Sequence, residues 1–149
     1  MIYQKMAFIF ILTAGISLAL NAQCDKKLKL KTERVYQVKA DTTEAENISI
    51  TATITLSKDS IFVLMNWPNG GVSEVRGKHT ETICKMNNDY TEGTIDFKTD
   101  AEITGQGQSK RAKMLFNIIS KAGKMKLYGV PENENEKICF VIREKEEIK

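Results

Sequence analysis

Ile48-Ser49-Ile50-Thr51-Ala52-Thr53-Ile54-Thr55-Leu56-Ser57, followed by Lys58-Asp59-Ser60 and then Ile61-Phe62-Val63-Leu64-Met65, is the stretch that decides the fold. Its first part alternates strictly between apolar and hydroxyl side chains. That period of two gives a strand one apolar face and one wet face. Ser57–Ser60 supplies turn residues, and the apolar run after it returns as a second strand. The stretch reads as a β-hairpin at the centre of a β-sheet domain.

The same logic extends in both directions. Upstream, Lys27–Lys31 and Arg34–Lys39 read as an edge-like first strand with lysines on its outer side, and 41–47 (DTTEAEN) as a polar loop. Downstream, Asn66-Trp67-Pro68-Asn69-Gly70-Gly71 is the strongest breaker. Val72–Lys78 and Glu81–Met86 resume as strands around Gly77-Lys78-His79. Gly93–Lys98 follows, and Gly105–Ser109 reads as a flexible loop. Lys113–Ser120 and Lys124–Val130 form another hairpin around Lys121-Ala122-Gly123. Lys137–Arg143 closes the domain, and residues 144–149 form a charged tail. No helical periodicity runs for more than about two turns. The expected fold is all-β: a single antiparallel domain of about eight short strands, as a barrel or half-barrel, with a β-sandwich as the alternative. Its expected core is Ile50, Ile54, Leu56, Phe62, Leu64, Met114, Phe116, Ile118, Leu127, Phe140 and Ile142.

Met1–Ala22 has the layout of an export signal: Lys5, an apolar run over Met6–Leu20, then Ala22 before Gln23. The run is short for a membrane span, which takes roughly 20 residues. Removing these 22 residues from 149 leaves 127, the size of one domain spanning 23–149, and losing Lys5 takes the net charge from +3 to +2. Such a balance argues against nucleic acid as a partner. Cys24 beside the cleavage point resembles the lipidated cysteine of bacterial lipoproteins. Gln23 stands where those proteins carry a small residue, so the preferred destination is soluble export, periplasmic or extracellular, with a lipid anchor at Cys24 as the alternative. Of the three cysteines, Cys84 and Cys139 both fall in strands and are the candidate disulfide pair.

No motif carries catalysis or metal binding, and no cofactor is implied. GQGQSK at 105–110 lacks the spacing of a phosphate loop. His79, the single histidine, lacks metal-ligand spacing and reads as an exposed loop residue. Trp67, alone in a Pro/Gly loop, is the first candidate for a ligand contact, either as an anchor or as a cap folded over the core, both of which bury it. Tyr36 and Tyr128 are candidates to join it. Lys110, Arg111 and Lys113, with Lys121, Lys124 and Lys126, would make one basic patch suited to an anionic envelope lipid or glycan.

An export signal followed by about eight antiparallel strands resembles the small lipocalin-like (calycin) barrels of Gram-negative envelopes. The resemblance implies a non-catalytic binding module for an apolar or amphipathic small molecule. The competing expectation is an envelope interaction or structural protein with a filled core, acting through its basic outer face.

Overall fold

A computed structural model describes residues 24–39 and 44–149. The expected signal segment and its cleavage point before Gln23 lie outside the described residues. Nine strands are present: β1 Lys27–Val38, β2 Glu44–Ile48, β3 Thr51–Leu56, β4 Ser60–Asn66, β5 Val72–Met86, β6 Gly93–Gly105, β7 Gln108–Lys121, β8 Lys124–Pro131 and β9 Lys137–Ile148. Every pairing is antiparallel, in the order β2-β1-β3-β4-β5-β6-β7-β8-β9. β1 also pairs with β9 from Lys27↔Ile148 to Val38↔Lys137, which closes the sheet into a barrel and excludes the sandwich. β1 meets β3 through Leu28–Lys31 and β2 through Val35–Val38, so β2 and β3 act as one strand bent at Ser49-Ile50. At the bend the Thr32 hydroxyl accepts from the Ala52 amide at 2.9 Å and donates to the Ala52 carbonyl at 3.2 Å. The result is an eight-stranded closed barrel in which β2 is the ninth, short strand that continues β3 alongside β1.

The strands are longer than expected. β5 runs through Gly77-Lys78-His79 without a break and absorbs the irregularity as a bulge between His79 and Glu81. Gly77 marks close packing instead of a turn, because a Cβ there would stand 2.3 Å from Thr99 Cγ2. The Gly105–Ser109 loop contracts to the two-residue turn Gln106-Gly107, both at positive φ (51° and 74°), the geometry that matches strand twist in tight hairpins. The 41–47 loop yields β2 from Glu44 onward. The charged tail is the end of β9, laddered on β1 with Lys31 and Glu144 paired at 2.9 Å.

Eight strands enclose a space that side chains can just fill. Leu30, Val35, Ile54, Ile118 and Leu127 are fully buried there, with Phe97, Phe116 and Phe140 beside them. The expected core holds for Ile50, Ile54, Leu56, Met114, Phe116, Ile118, Leu127 and Phe140, while Ile142 is half-buried. Phe62 and Leu64 are corrected. Leu56 pairs with Ile61, so Ile61, Val63 and Met65 point inward, and Phe62 lies outside under the Arg76 guanidinium at 4.6 Å. An all-apolar strand offers no alternation from which to choose its face, and the turn fixes the register.

The disulfide joins Cys24 to Cys84, not Cys84 to Cys139. Cys84 packs against the interior, whereas Cys139 belongs to a second cluster with Tyr36 and Val38. β5 and β9 are four strands apart on the barrel, on the order of 19 Å, well beyond disulfide reach. The bond straps the chain start across one end of the barrel, helped by Lys26, which donates to the Asn88 carbonyl and pairs with Glu147.

Candidate functional site

With the interior taken by the core, the candidate site lies on the outer face of β5–β9. Side chains alternate along each strand, so those between the core positions line up in rows across the outside. The ladders set one row as Glu81, Lys98, Leu115 and Val130, with Lys137 beside Val130 because Gly129 pairs with Ile138. The next row is Ile83, Asp96, Asn117, Tyr128 and Cys139, continuing to Tyr36 on β1. Between these rows runs a trench with a cavity of about 350 Å³, floored by Phe97 and Phe116. Its walls are unusually apolar for an outer surface. Ile83 is 49% exposed, Leu115 and Tyr128 are half-buried, and Val130 is buried.

The polar groups of the trench are largely committed. Glu81 and Lys98 pair at 2.8 Å, and the Asn117 amide donates to Asp96 at 2.6 Å. Lys137 forms no ion pair among the described residues and is exposed. Tyr128 also packs against the buried cluster of Tyr36, Val38 and Cys139. In that cluster the Tyr36 hydroxyl accepts from Lys126 at 3.3 Å, and the Arg34 guanidinium lies over its ring at 5.3 Å.

Of the residues singled out from the sequence, Tyr36 and Tyr128 therefore come together, both opposite Cys139 in the ladders. Trp67 stays apart. It sits on the β4–β5 turn, across the barrel from β8 and β9, with its indole N–H donating to Ser73 Oγ at 3.0 Å. The ring is 41% exposed, so the burial expected of either an anchor or a cap is not found. The basic residues do not form one patch. Lys110–Lys113 ladder against Asp100–Ile103 of β6, while Lys121 and Lys124 flank the turn at the opposite end of β7, roughly 26–36 Å away along the strand.

His79 is a strand residue facing the interior, not an exposed loop residue. Its ring stacks on Phe97 at 4.1 Å, and Nδ1 is 2.9 Å from Thr99 Oγ1. Nε2 is buried without a hydrogen bond, although backbone groups of Ser60 and Ser57 lie near enough to favour its proton. Burial outweighs them and holds its pKa below the ordinary value of 6.5. Among the described residues no group of three or more His, Cys, Asp or Glu side chains is placed to hold a metal ion.

Ile83, Leu115, Val130 and Lys137 escaped the sequence reading. The signal was present for Leu115. Met114-Leu115-Phe116 and Ile118-Ile119 are continuous apolar runs, which indicate apolar contact on both faces of a strand. No family model matches the chain, and neither a curated protein nor a solved structure matches it.

Proposed function

We propose that this chain is an exported, non-catalytic binding module that takes an apolar or amphipathic small molecule on the outside of its barrel, in the β5–β9 trench. The observation that carries this reading is the contrast between a barrel interior occupied by its own side chains and a concave outer face walled by Ile83, Leu115, Tyr128 and Val130. Soluble proteins place such surface where something covers it. The closed antiparallel barrel supports the lipocalin-like resemblance at the level of architecture, with the ligand moved from the interior to the wall. The Cys24–Cys84 bond supports an oxidising, periplasmic or extracellular destination. It also occupies the sulfur that a lipid anchor at Cys24 would require.

A filled core is equally what an envelope interaction protein would have. The split of the basic residues between the two ends of β7 weakens the idea that such a protein works through one basic face. Titration with N-phenyl-1-naphthylamine, a neutral apolar fluorophore, separates the readings. Saturable binding that Ile83→Gln weakens supports the trench, and Ile83 is exposed enough for that change to leave the fold intact. Absence of saturable binding, or binding indifferent to Ile83→Gln, overturns it.

A further inference from the structure

We infer that the trench selects anionic amphipaths, with a carboxylate-type headgroup at Lys137 and an alkyl chain laid across the strands toward Ile83. The inference rests on the trench being the binding site, and its basis is where the charges of the walls lie. Four charged side chains line the cavity: Glu81, Asp96, Lys98 and Lys137. Glu81 and Lys98 neutralise each other at 2.8 Å, while Asp96, on β6 three strands from Lys137, keeps its charge and is capped by the Asn117 amide at 2.6 Å. The acidic residue next to Lys137 in sequence, Glu136, accepts from the Gln37 amide on β1. Lys137 is thus the one cation of the trench left without an ionic partner among the described residues.

Its position gives the ligand a direction. Lys137 opens β9 and stands beside Val130, which pairs with Leu115 on β7. Beyond Leu115 the apolar wall ends at Ile83 on β5, four strands from Lys137, on the order of 19 Å. A cation at one end, with Val130, Leu115 and Tyr128 next to it and the paired polar groups of β6 between them and Ile83, complements a molecule with one anionic head and an apolar tail. A cationic amphipath would meet Lys137 with like charge, and a neutral one would gain nothing from it.

The test compares decanoate, 1-decanol and decylammonium below micelle formation, followed by backbone amide shifts of the folded chain. Decanoate is expected to bind about two- to five-fold more tightly than decanol, the worth of one solvent-exposed ion pair, and decylammonium more weakly than either. Lys137→Ala removes the decanoate advantage without changing decanol, Lys137→Arg keeps it, and 0.5 M salt reduces it. Ile83→Gln weakens all three probes. Equal affinity for decanoate and decanol, or an advantage that survives Lys137→Ala, overturns the headgroup assignment while leaving the trench in place. Shifts confined to other faces, or indifferent to Ile83→Gln, overturn the trench itself.

Discussion

Reducing the Cys24–Cys84 bond should destabilise the barrel by about 2–4 kcal/mol, and Cys139 should have no part in that loss. The bond closes a loop of 60 residues in sequence. Loop-closure entropy for that length amounts to about 14 cal/mol/K, or roughly 4 kcal/mol at 25 °C, as an upper figure. The folded state loses little when the bond opens, because Lys26 stays tied to Asn88 and Glu147 and Lys58 lies 3.9 Å from Asp25. The effect therefore falls mainly on the unfolded chain. With a urea m-value of about 1.5 kcal/mol/M, reductant should lower the unfolding midpoint by roughly 1.3–2.7 M. Urea melts of wild type, Cys24→Ala, Cys84→Ala and Cys139→Ala, each with and without reductant, provide the assay. The response should vanish in the first two variants and persist in the third. A response that survives Cys24→Ala, disappears in Cys139→Ala, or stays under about 1 kcal/mol in wild type would refute this reasoning.

Two further predictions concern the barrel interior. Phe140→Ala should cost about 3–5 kcal/mol in chemical denaturation, because Phe140 is core, whereas Phe62→Ala should cost about 1 kcal/mol, the value of a half-buried ring under Arg76. Equal losses would mean that the β4 face is assigned wrongly. Stability should also fall as pH drops below about 6.5, because burial depresses the folded pKa of His79 and the unfolded chain takes up the proton first. That contribution is intact above the unfolded value and is lost as pH falls toward and through the folded one. Thermal melts from pH 7.5 to 5 on wild type and His79→Gln check it, and the variant should lack that part of the decline.

The faces of β3 and β8 were legible because polar residues interrupt their apolar ones at every second position or close to it. Thr51, Thr53 and Thr55 leave no doubt that Ala52, Ile54 and Leu56 point inward. β4 has no such interruption from Ile61 to Met65, and only the turn geometry decides its face. The end of β9 was obscure for another reason. Residues 144–147 are all charged, which by local composition is a solvated tail, yet closure demands that β9 match β1 along its length. Its alternating contacts, Lys31 to Glu144 on the outside and Lys145 with the Tyr90 ring at 5.8 Å, come from distant segments that no window of sequence joins.

The candidate site was harder to read, because it belongs to the outside of a closed surface. Tyr36 and Tyr128 were singled out as aromatic residues that only the fold could bring together, and β9 does so by placing Cys139 opposite each of them. Trp67 drew attention through its turn, but that turn is self-contained: its backbone bonds Gly71 and Gly70, and its indole bonds Ser73. An isolated aromatic at a hairpin end needs no ligand to account for it. The trench residues look ordinary one at a time. Each is a single apolar side chain on the wet face of its strand, a common occurrence. They become a site only through register, because Val130 opposite Leu115, with Lys137 and Ile83 at the two ends, puts them in one concavity. A one-residue slip of β8 against β7 would replace Val130 with Gly129 or Pro131 and break the apolar wall. The register that the core imposes on β7 and β8 from inside, through Ile118 opposite Leu127 and Phe116 opposite Gly129, is therefore also what assembles the binding face outside.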